Sequence, residues 1–366
     1  MIDMLSLPTD IVVRIIEFTA LRNDAIKPRQ YDDTYDCDVA FEARWKAACA
    51  MRATCAYCRV AVAQWERSTT EIVVRYLSTS AIDLNGVITR FPMTRYVSMW
   101  DYVGVDVPCV QFAKWTQLEH IELHDTEMGD SSVISLGKCS RLTYVDLWHT
   151  RVGDAGVSAL GACSHLRHVN LCRTRVGDAG VSALGACSHL TYVDLCYTYV
   201  GDVGVSALGT CFQLRHLDLG YTNVGDVGVS ALGACSLVTY ARLCYTKVGD
   251  GSVLGKWPEL TYVDLRATRM SDASMHALSK CAQLTYVDVC RTSVGDVGVS
   301  ALAKCTQLGH IDLEHTKVGN AGAIALGKCE NLESVYLRHT SVSDAGVEIL
   351  SAARPRTYIK YNVFWF

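Results

Sequence analysis

Three sets of residues in this sequence have side chains that could perform chemistry. An aspartate recurs in a Val-Gly-Asp segment, a cysteine ends most copies of the same segment, and Cys55 and Cys58 form one close pair. Paired carboxylates can act as a general acid and base. Clustered thiolates can bind zinc or undergo redox chemistry. The spacing within each set decides between these uses and a structural role.

The aspartates recur just before an apolar-periodic stretch such as Ala-Gly-Val-Ser-Ala-Leu-Gly. An Asp at that point accepts hydrogen bonds from the unpaired N–H groups of a first helical turn. We therefore interpret them as helix caps rather than catalytic pairs. The set comprises Asp130, Asp154, Asp178, Asp202, Asp226, Asp250, Asp272, Asp296 and Asp344.

The recurring cysteines all fall at the end of that stretch, with no second ligand type at a fixed spacing. Free Cys packs as a small hydrophobe, so we predict that they lie in the core. They are Cys139, Cys163, Cys187, Cys211, Cys235, Cys281, Cys305 and Cys329. A structural zinc site usually needs two close pairs, and only Cys55 and Cys58 form one, so we expect no metal site and no cofactor. Phosphate-loop and hydrolase motifs are absent, and we expect no enzymatic activity.

The elements that carry these residues repeat along the chain. A threonine marks each copy: Thr126, Thr150, Thr174, Thr198, Thr222, Thr246, Thr268, Thr292, Thr316 and Thr340. Every step is 24 residues except the 22 between Thr246 and Thr268, and a fixed period of this length indicates a solenoid. In each copy, Leu-Thr-Tyr-Val-Asp-Leu alternates as a strand does, and the apolar-periodic helical stretch follows a turn.

This unit matches L-x-x-L-x-L and resembles the leucine-rich repeat, specifically its cysteine-containing type, over roughly residues 95 to 361. The resemblance implies an α/β horseshoe with a parallel concave sheet and convex helices. Weaker copies around Met99 and Tyr361 are predicted to cap the two ends. In the shortened copy, Trp257 stands where the cysteine would be, and we expect a curtailed helix there.

Side chains on the concave face are the candidates for binding a protein. Alternate strand residues point away from the core, and Tyr, Trp and Arg dominate binding hot spots. The candidate set is His120, Tyr144, Asp146, Trp148, His168, Arg173, Tyr192, Asp194, Tyr197, His216, Asp218, Tyr221, Tyr240, Tyr245, Tyr262, Asp264, Tyr286, Asp288, Arg291 and His310. Cross-strand stacking alone would explain part of the Tyr and His column. Cys172 and Cys196 lie on adjacent strands, and we expect both to be exposed, with a redox or metal role left open.

The N-terminus differs in texture from the repeats. A Leu-Pro start and apolar residues at helical spacing predict an amphipathic helix built on Leu7, Pro8, Asp10, Ile11, Ile15 and Phe18. This opening is similar to that of an F-box, and the predicted helical run "ATCAYCRVAVAQW" matches the close of that domain loosely. We divide the chain into an F-box-like helical module (1–66), a linker or cap (67–93) and the repeat domain with its C-terminal cap (94–366).

An F-box followed by such repeats resembles the substrate receptors of SCF-type ubiquitin ligases. The resemblance implies that the N-terminal residues dock on the adaptor that links to the cullin, while the concave sheet holds the target protein. The alternatives are a plain interaction scaffold whose N-terminal helices only cap the array, and an inhibitor that clasps its target.

Composition limits the remaining classes. The chain has 366 residues, is 50% hydrophobic and 20% charged, and carries a formal net charge of −4. This small charge predicts no binding to nucleic acid or to an anionic membrane surface. We expect neither a transmembrane helix nor a signal peptide. The 17 cysteines, an odd number, then favour reduced thiols in the cytoplasm or the nucleus.

Overall fold

The computed structural model describes residues 59–65, 69–75, 93–100 and 111–361. Two sets from the sequence therefore lie outside the described residues: the F-box-like positions Leu7, Pro8, Asp10, Ile11, Ile15 and Phe18, and the cysteine pair Cys55 and Cys58. Within the part of the chain that the structure describes, no helix is both long enough and apolar enough to span a bilayer.

One sheet runs through the described residues, and its strands pair in sequence order. The strands are β1 (Arg59–Trp65), β2 (Thr69–Arg75), β3 (Thr94–Trp100), β4 (His120–Glu122), β5 (Tyr144–Asp146), β6 (His168–Asn170), β7 (Tyr192–Asp194), β8 (His216–Asp218), β9 (Tyr240–Arg242), β10 (Tyr262–Asp264), β11 (Tyr286–Asp288), β12 (His310–Asp312), β13 (Ser334–Tyr336) and β14 (Tyr358–Lys360). Strands β1 and β2 are antiparallel, and every later pair is parallel. The predicted α/β solenoid is confirmed.

The helices alternate with the strands from β4 onward. The α-helices are α1 (Asp130–Val133), α2 (Asp154–Leu160), α3 (Asp178–Leu184), α4 (Asp202–Ala207), α5 (Asp226–Ala231), α6 (Asp272–Leu278), α7 (Asp296–Leu302), α8 (Asn320–Leu326) and α9 (Asp344–Ala353). Short 3₁₀ segments lie at Phe112–Lys114, Ile134–Lys138, Leu208–Thr210, Leu232–Ala234 and Gly251–Lys256. We call the side of the sheet that faces away from the helices, predicted above as the concave face, the sheet face.

Strand β1 corrects one expectation from the sequence. We predicted a helix through this stretch, but Arg59–Trp65 is a strand that pairs with β2. The physical reason lies in its alternation: Val60 and Val62 are β-branched residues at a spacing of two, and such residues lose side-chain freedom in a helix but pack well on a pleated sheet. The sheet thus continues through β2, in the segment that we assigned to the linker or cap, to β1, in the segment that we assigned to the F-box-like module.

Buried cysteines form a ladder in the core, as predicted. The thiol of Cys163 donates to the carbonyl of Leu136 at 3.4 Å, and Cys187 donates to Leu160 at 3.5 Å. Burial raises the pKa of both thiols to about 12. Each thiol therefore stays protonated, fills a small core position and ties its repeat to the preceding one.

Most of the recurring aspartates cap helices, but each of these caps the helix of the next repeat. The Oδ1 atom of Asp154 accepts hydrogen bonds from the backbone N–H groups of Gly177, at 2.7 Å, and Gly180, at 2.9 Å. Gly177 is the N-cap of α3, and Gly180 lies in its first turn. A Cβ atom on Gly180 would lie 2.8 Å from that carboxylate oxygen, so glycine is required there. Asp250 alone caps as predicted, accepting from Ser252 in its own 3₁₀ helix.

The shortened repeat keeps the sheet register and changes the helix side. Gly251–Lys256 forms a 3₁₀ helix instead of an α-helix, which confirms the expected curtailment. Trp257 is fully buried at the cysteine position, and its Nε1 donates to the carbonyl of Leu232 at 3.2 Å. The indole thus replaces both the volume and the hydrogen bond of the missing thiol. Tyr262 still pairs with Tyr240 across β9 and β10.

Candidate protein-binding surface on the sheet

The sheet face carries a column of stacked rings, which we call the ring column. It comprises Tyr96, His120, Tyr144, His168, Tyr192, His216, Tyr240, Tyr262 and Tyr286. Neighbouring centroids are 3.8 to 4.5 Å apart, from His120–Tyr144 to Tyr262–Tyr286. Because each inner ring is covered on both faces by its neighbours, only ring edges point to solvent. Cross-strand stacking therefore accounts for this column, which continues to His310 with a tilt of 42°.

Burial keeps two histidines of the ring column neutral. It lowers the pKa of His168 to about 3 and that of His216 to about 4. An imidazolium between two tyrosine rings would lose its hydration without gaining a carboxylate partner. At neutral pH, these positions therefore contribute uncharged rings to the stack.

The next column, which we call the acid column, is hydrogen-bonded to the backbone. It comprises Glu122, Asp146, Asn170, Asp194, Asp218, Arg242, Asp264, Asp288, Asp312 and Tyr336. In most rows its side chain accepts a hydrogen bond from the N–H group two residues later, as Asp146 does from Trp148 at 2.9 Å and Asp194 from Cys196 at 2.9 Å. A carboxylate at the end of a three-residue strand thus fixes the start of the following turn. Burial, and to a smaller extent the charge of Asp218, raises the pKa of Asp194 well above its usual range.

Two arginines cover the middle of the acid column. Arg242 lies 3.3 Å from Oδ2 of Asp218 and 3.4 Å from Oδ2 of Asp264. Arg266 lies 3.1 Å from Asp264 and 3.5 Å from Asp288. Burial raises the pKa of Asp218 to about 6, although Arg242 opposes that shift.

These ion pairs change how the predicted carboxylates can act. Asp218, Asp264 and Asp288 are buried, so the guanidinium groups lie over them and are the more exposed partners. Arg242 and Arg266 were not among the predicted binding residues. In the sequence, Arg242 is a basic residue in a column of mostly acidic residues. Arg266 is a basic residue in the following column, in which Cys and Gly are common.

Another column of the sheet face has an unusual backbone conformation, and we call it the rim column. Its members are Asp125, His149, Arg173, Tyr197, Tyr221, Tyr245, Ala267, Arg291, His315 and His339, all with φ between 54° and 57°. For residues other than glycine this left-handed conformation costs roughly 1–2 kcal/mol each. Hydrogen bonds offset the strain: Tyr197 N–H donates to the carbonyl of Gly220 at 3.0 Å, and the hydroxyl of Thr198 donates to Leu195 at 2.6 Å.

Four successive side chains of the rim column stack on one another. The Arg173 guanidinium lies 4.9 Å from the ring centroid of Tyr197. The centroids of Tyr197 and Tyr221 are 4.1 Å apart, and those of Tyr221 and Tyr245 are 4.3 Å apart. Tyr197 and Tyr245 remain 37% and 39% exposed. We call Arg173, Tyr197, Tyr221 and Tyr245 the tyrosine rim.

Small side chains lie between the acid column and the tyrosine rim. This column reads Cys172, Cys196, Gly220 and Cys244, with Trp148 before it. Cys172 is half-buried, but Cys196 and Cys244 are buried. The expectation that Cys196 is exposed was therefore wrong, because the neighbouring rows of the sheet cover its thiol. All of the predicted sheet-face residues are brought onto one surface, but the large exposed rings cluster at the rim.

Comparison with known proteins agrees with this architecture. Residues 138–161, 162–185, 186–209 and 210–233 match the family model described as Leucine Rich repeat. Residues 256–351 match the BspA type Leucine rich repeat region model. The chain folds as a leucine-rich-repeat solenoid. Neither match extends into residues 1–137, and none is to an F-box.

Solved structures of other leucine-rich-repeat proteins share the fold. An internalin of Listeria monocytogenes is similar with a TM-score of 0.66 at 16% identity, over 82% of this chain and 87% of that one. A leucine-rich-repeat protein of Leptospira interrogans gives a TM-score of 0.53 at 11% identity, over 78% and 81% of the two chains. No curated protein matches the sequence. At these identities, the likeness establishes the fold.

Proposed function

We propose that this protein is an interaction scaffold that binds a protein partner through the tyrosine rim and the adjoining sheet face. The observation that carries the proposal is the rim itself. The left-handed backbone at these positions favours glycine, yet the chain places three tyrosines and an arginine there in succession. Stacking recovers part of the backbone strain, and it leaves the outer ring surfaces of Tyr197 and Tyr245 available.

The physical properties of this rim suit a binding hot spot. Tyr and Arg are enriched among the residues that contribute most to binding energy. Their side chains are already held in place by stacking and by a hydrogen-bonded sheet, so little conformational entropy is lost when a partner binds. The rest of the sheet face supplies ring edges and guanidinium groups around the rim.

Matched tyrosine variants test the rim. We expect Tyr197→Ala/Tyr245→Ala to lose a partner captured from cell extract by the intact chain, with affinity at least about 30-fold weaker, since hot-spot residues each contribute about 2 kcal/mol or more. Tyr199→Ala is the control, because Tyr199 is 71% exposed but lies outside the rim column. Equal capture by the rim variant and the control, with circular dichroism showing both folded, would contradict the proposal.

We further propose that the scaffold is the substrate-recognition subunit of an SCF-type ubiquitin ligase. This finer proposal depends on the F-box-like opening at Leu7, Pro8, Asp10, Ile11, Ile15 and Phe18, which would dock on the adaptor. In that role the chain makes and breaks no bond itself. A stiff solenoid holds the target at a fixed distance from the adaptor site and so raises the effective concentration of target lysines near the ligase. The alternative is the same scaffold, or an inhibitor, without ubiquitin machinery.

The two binding functions can be separated in one capture experiment read by mass spectrometry. We expect Leu7→Ala/Pro8→Ala/Ile11→Ala to lose the adaptor and cullin but keep the target. The rim variant should show the reverse. Absence of adaptor and cullin from the intact chain, with other partners retained, would leave the scaffold and exclude the ligase role.

The proposed location is the cytoplasm or nucleus. The twelve cysteines that the structure describes are all free thiols, and eleven of them are buried. Free buried thiols suit a reducing compartment.

A further inference from the structure

We propose that Asp288, Cys290, Asp312 and Glu314 form a binding site for a divalent metal ion of the Zn²⁺ type on the sheet face. These residues belong to two neighbouring repeats, in the rows that begin with β11 and β12. In each row the acid-column residue and the residue two positions later point to the same side of the chain. The proposal is independent of the protein-binding function, because an ion needs no partner protein.

The ligand atoms of Asp288, Cys290 and Asp312, three of the four residues, already lie close together. One carboxylate oxygen from each aspartate and the Cys290 sulfur are within 4.8 Å of one another. Zinc–oxygen and zinc–sulfur bonds of about 2.0–2.3 Å would place tetrahedral ligands roughly 3.3–3.8 Å apart. Side-chain rotations that shorten these separations by about 1 Å would therefore complete the site without moving the sheet.

The Cys290 thiol is an independent indication of a ligand. It is 8% exposed, and within the described residues its sulfur makes no hydrogen bond. By contrast, a ladder cysteine such as Cys281 donates to the carbonyl of Leu254 at 3.3 Å. Oε1 of Glu314 is likewise a buried oxygen without a hydrogen-bond partner. Two buried ligand-type atoms thus lack hydrogen bonds beside the same pair of carboxylates.

The charges at this point of the sheet face favour a cation. Oδ1 of Asp288 accepts a hydrogen bond from the N–H group of Cys290 at 2.8 Å. Oδ1 of Asp312 accepts one from the N–H group of Glu314, also at 2.8 Å. The nearby positive charges are Arg266, which Asp288 shares with Asp264, and Lys360, whose Nζ is 3.8 Å from Glu314. Three carboxylates and a thiol therefore face two cations, one of which is shared with Asp264.

The donor set indicates the kind of metal ion. A thiolate with carboxylates suits a borderline-soft ion such as Zn²⁺ better than Mg²⁺ or Ca²⁺, which prefer oxygen ligands alone. The repeats around β7 and β8 provide a contrast. They also present Asp194, Cys196 and Asp218, but Gly220 stands where the later row has Glu314.

Cobalt titration of the full-length chain tests the site, with Co²⁺ as the spectroscopic probe for Zn²⁺. We expect Cys290→Ser to bind one equivalent fewer than the intact chain and to lose a sulfur-to-cobalt absorption band. Asp312→Asn should weaken that equivalent by at least about tenfold, since metal affinity is sensitive even to residues around the ligands. The control is Cys244→Ser, another buried thiol in the same column, which should retain the stoichiometry.

The difference between variants also removes any contribution from cysteines outside the described residues. Equal stoichiometry and equal absorption for the intact chain and Cys290→Ser would overturn the proposal. So would an identical loss in Cys244→Ser. If circular dichroism shows that Cys290→Ser does not fold, the half-buried Asp312 decides the question, and an unchanged affinity in Asp312→Asn would overturn the site.

Discussion

The helix side and the sheet face of this solenoid have the same period but differ in what they repeat. On the helix side the contacts themselves recur. Asp154 binds Gly177 and Gly180, and the same pair of hydrogen bonds joins Asp178 to Gly201 and Gly204. On the sheet face the backbone, the ring stacking and the acid-column hydrogen bonds recur, while the side chains of the rim column change from one row to the next. The rim column passes from aspartate through arginine and tyrosine to histidine.

This difference indicates where stability and recognition reside. Contacts between neighbouring repeats largely determine the stability of a solenoid, and the helix side supplies these contacts in nearly every repeat. The sheet face can then vary its exposed residues with little effect on the fold. Variants on the two sides should therefore separate loss of folding from loss of binding.

The largest expected effect is at Trp257, in the shortened repeat, where the helix side departs from its regular pattern. We expect Trp257→Ala to lower the free energy of unfolding by about 3–5 kcal/mol, because it removes a fully buried indole and leaves a cavity. It also leaves the carbonyl of Leu232 without its donor. The measurement is equilibrium denaturation in urea.

Phe212→Ala is the matched aromatic control, because that ring is mostly exposed at the end of a regular repeat. Its effect should stay within about 0.5 kcal/mol, as is usual for surface substitutions. A loss below about 1 kcal/mol in Trp257→Ala would show that the shortened repeat does not depend on the indole for packing.

The second prediction concerns the stability of the ring column at low pH. Folding depresses the pKa of His168 and His216, so the unfolded chain binds more protons than the folded chain below pH 6.5. The free energy of unfolding therefore decreases as the pH is lowered. For each histidine, the loss continues until the pH reaches its folded value, near 3 or 4. We expect His168→Tyr/His216→Tyr, which keeps a stacked ring in each row, to be more stable than the intact chain by about 4 kcal/mol at pH 5, about 2 kcal/mol for each histidine.

The advantage should vanish above pH 7, where histidine is neutral in both states. Raised pKa values of Asp194 and Asp218 act in the opposite direction, but they are common to both proteins and largely cancel in the comparison. His189→Tyr is the control, because that ring is exposed. An advantage that does not change with pH would show that the gain comes from stacking alone.

Periodicity made much of this fold predictable, because one well-defined unit recurs along the chain. From β3 onward, the strands, the helix positions and the buried cysteines follow from the pattern of one repeat. The rim conformation does not, because residues such as Tyr197 and Arg291 carry no glycine or asparagine signal for positive φ. It arises from hydrogen bonds to the next repeat, which local sequence does not reveal.

The candidate site was predictable as a surface but not in its details. Alternation placed the right residues on the sheet face. It could not show that Arg242 and Arg266 would cover Asp264, since that depends on side-chain reach between rows. Nor could spacing show that Asp178 caps a helix 23 residues later, because a capping signal is normally interpreted within one helix.

The smallest expected effect tests that cap directly. We expect Asp178→Ala to cost about 1–2 kcal/mol, since it leaves the N–H groups of Gly201 and Gly204 without an acceptor. Hydrogen exchange should speed up in α4, the helix of the following repeat, rather than in α3. Asp344→Ala is the matched control, because Asp344 is exposed and accepts no capping hydrogen bond within the described residues. Equal losses in the two variants would mean that these carboxylates act mainly on the dipole of their own helix, and the coupling between repeats would then rest on the core alone.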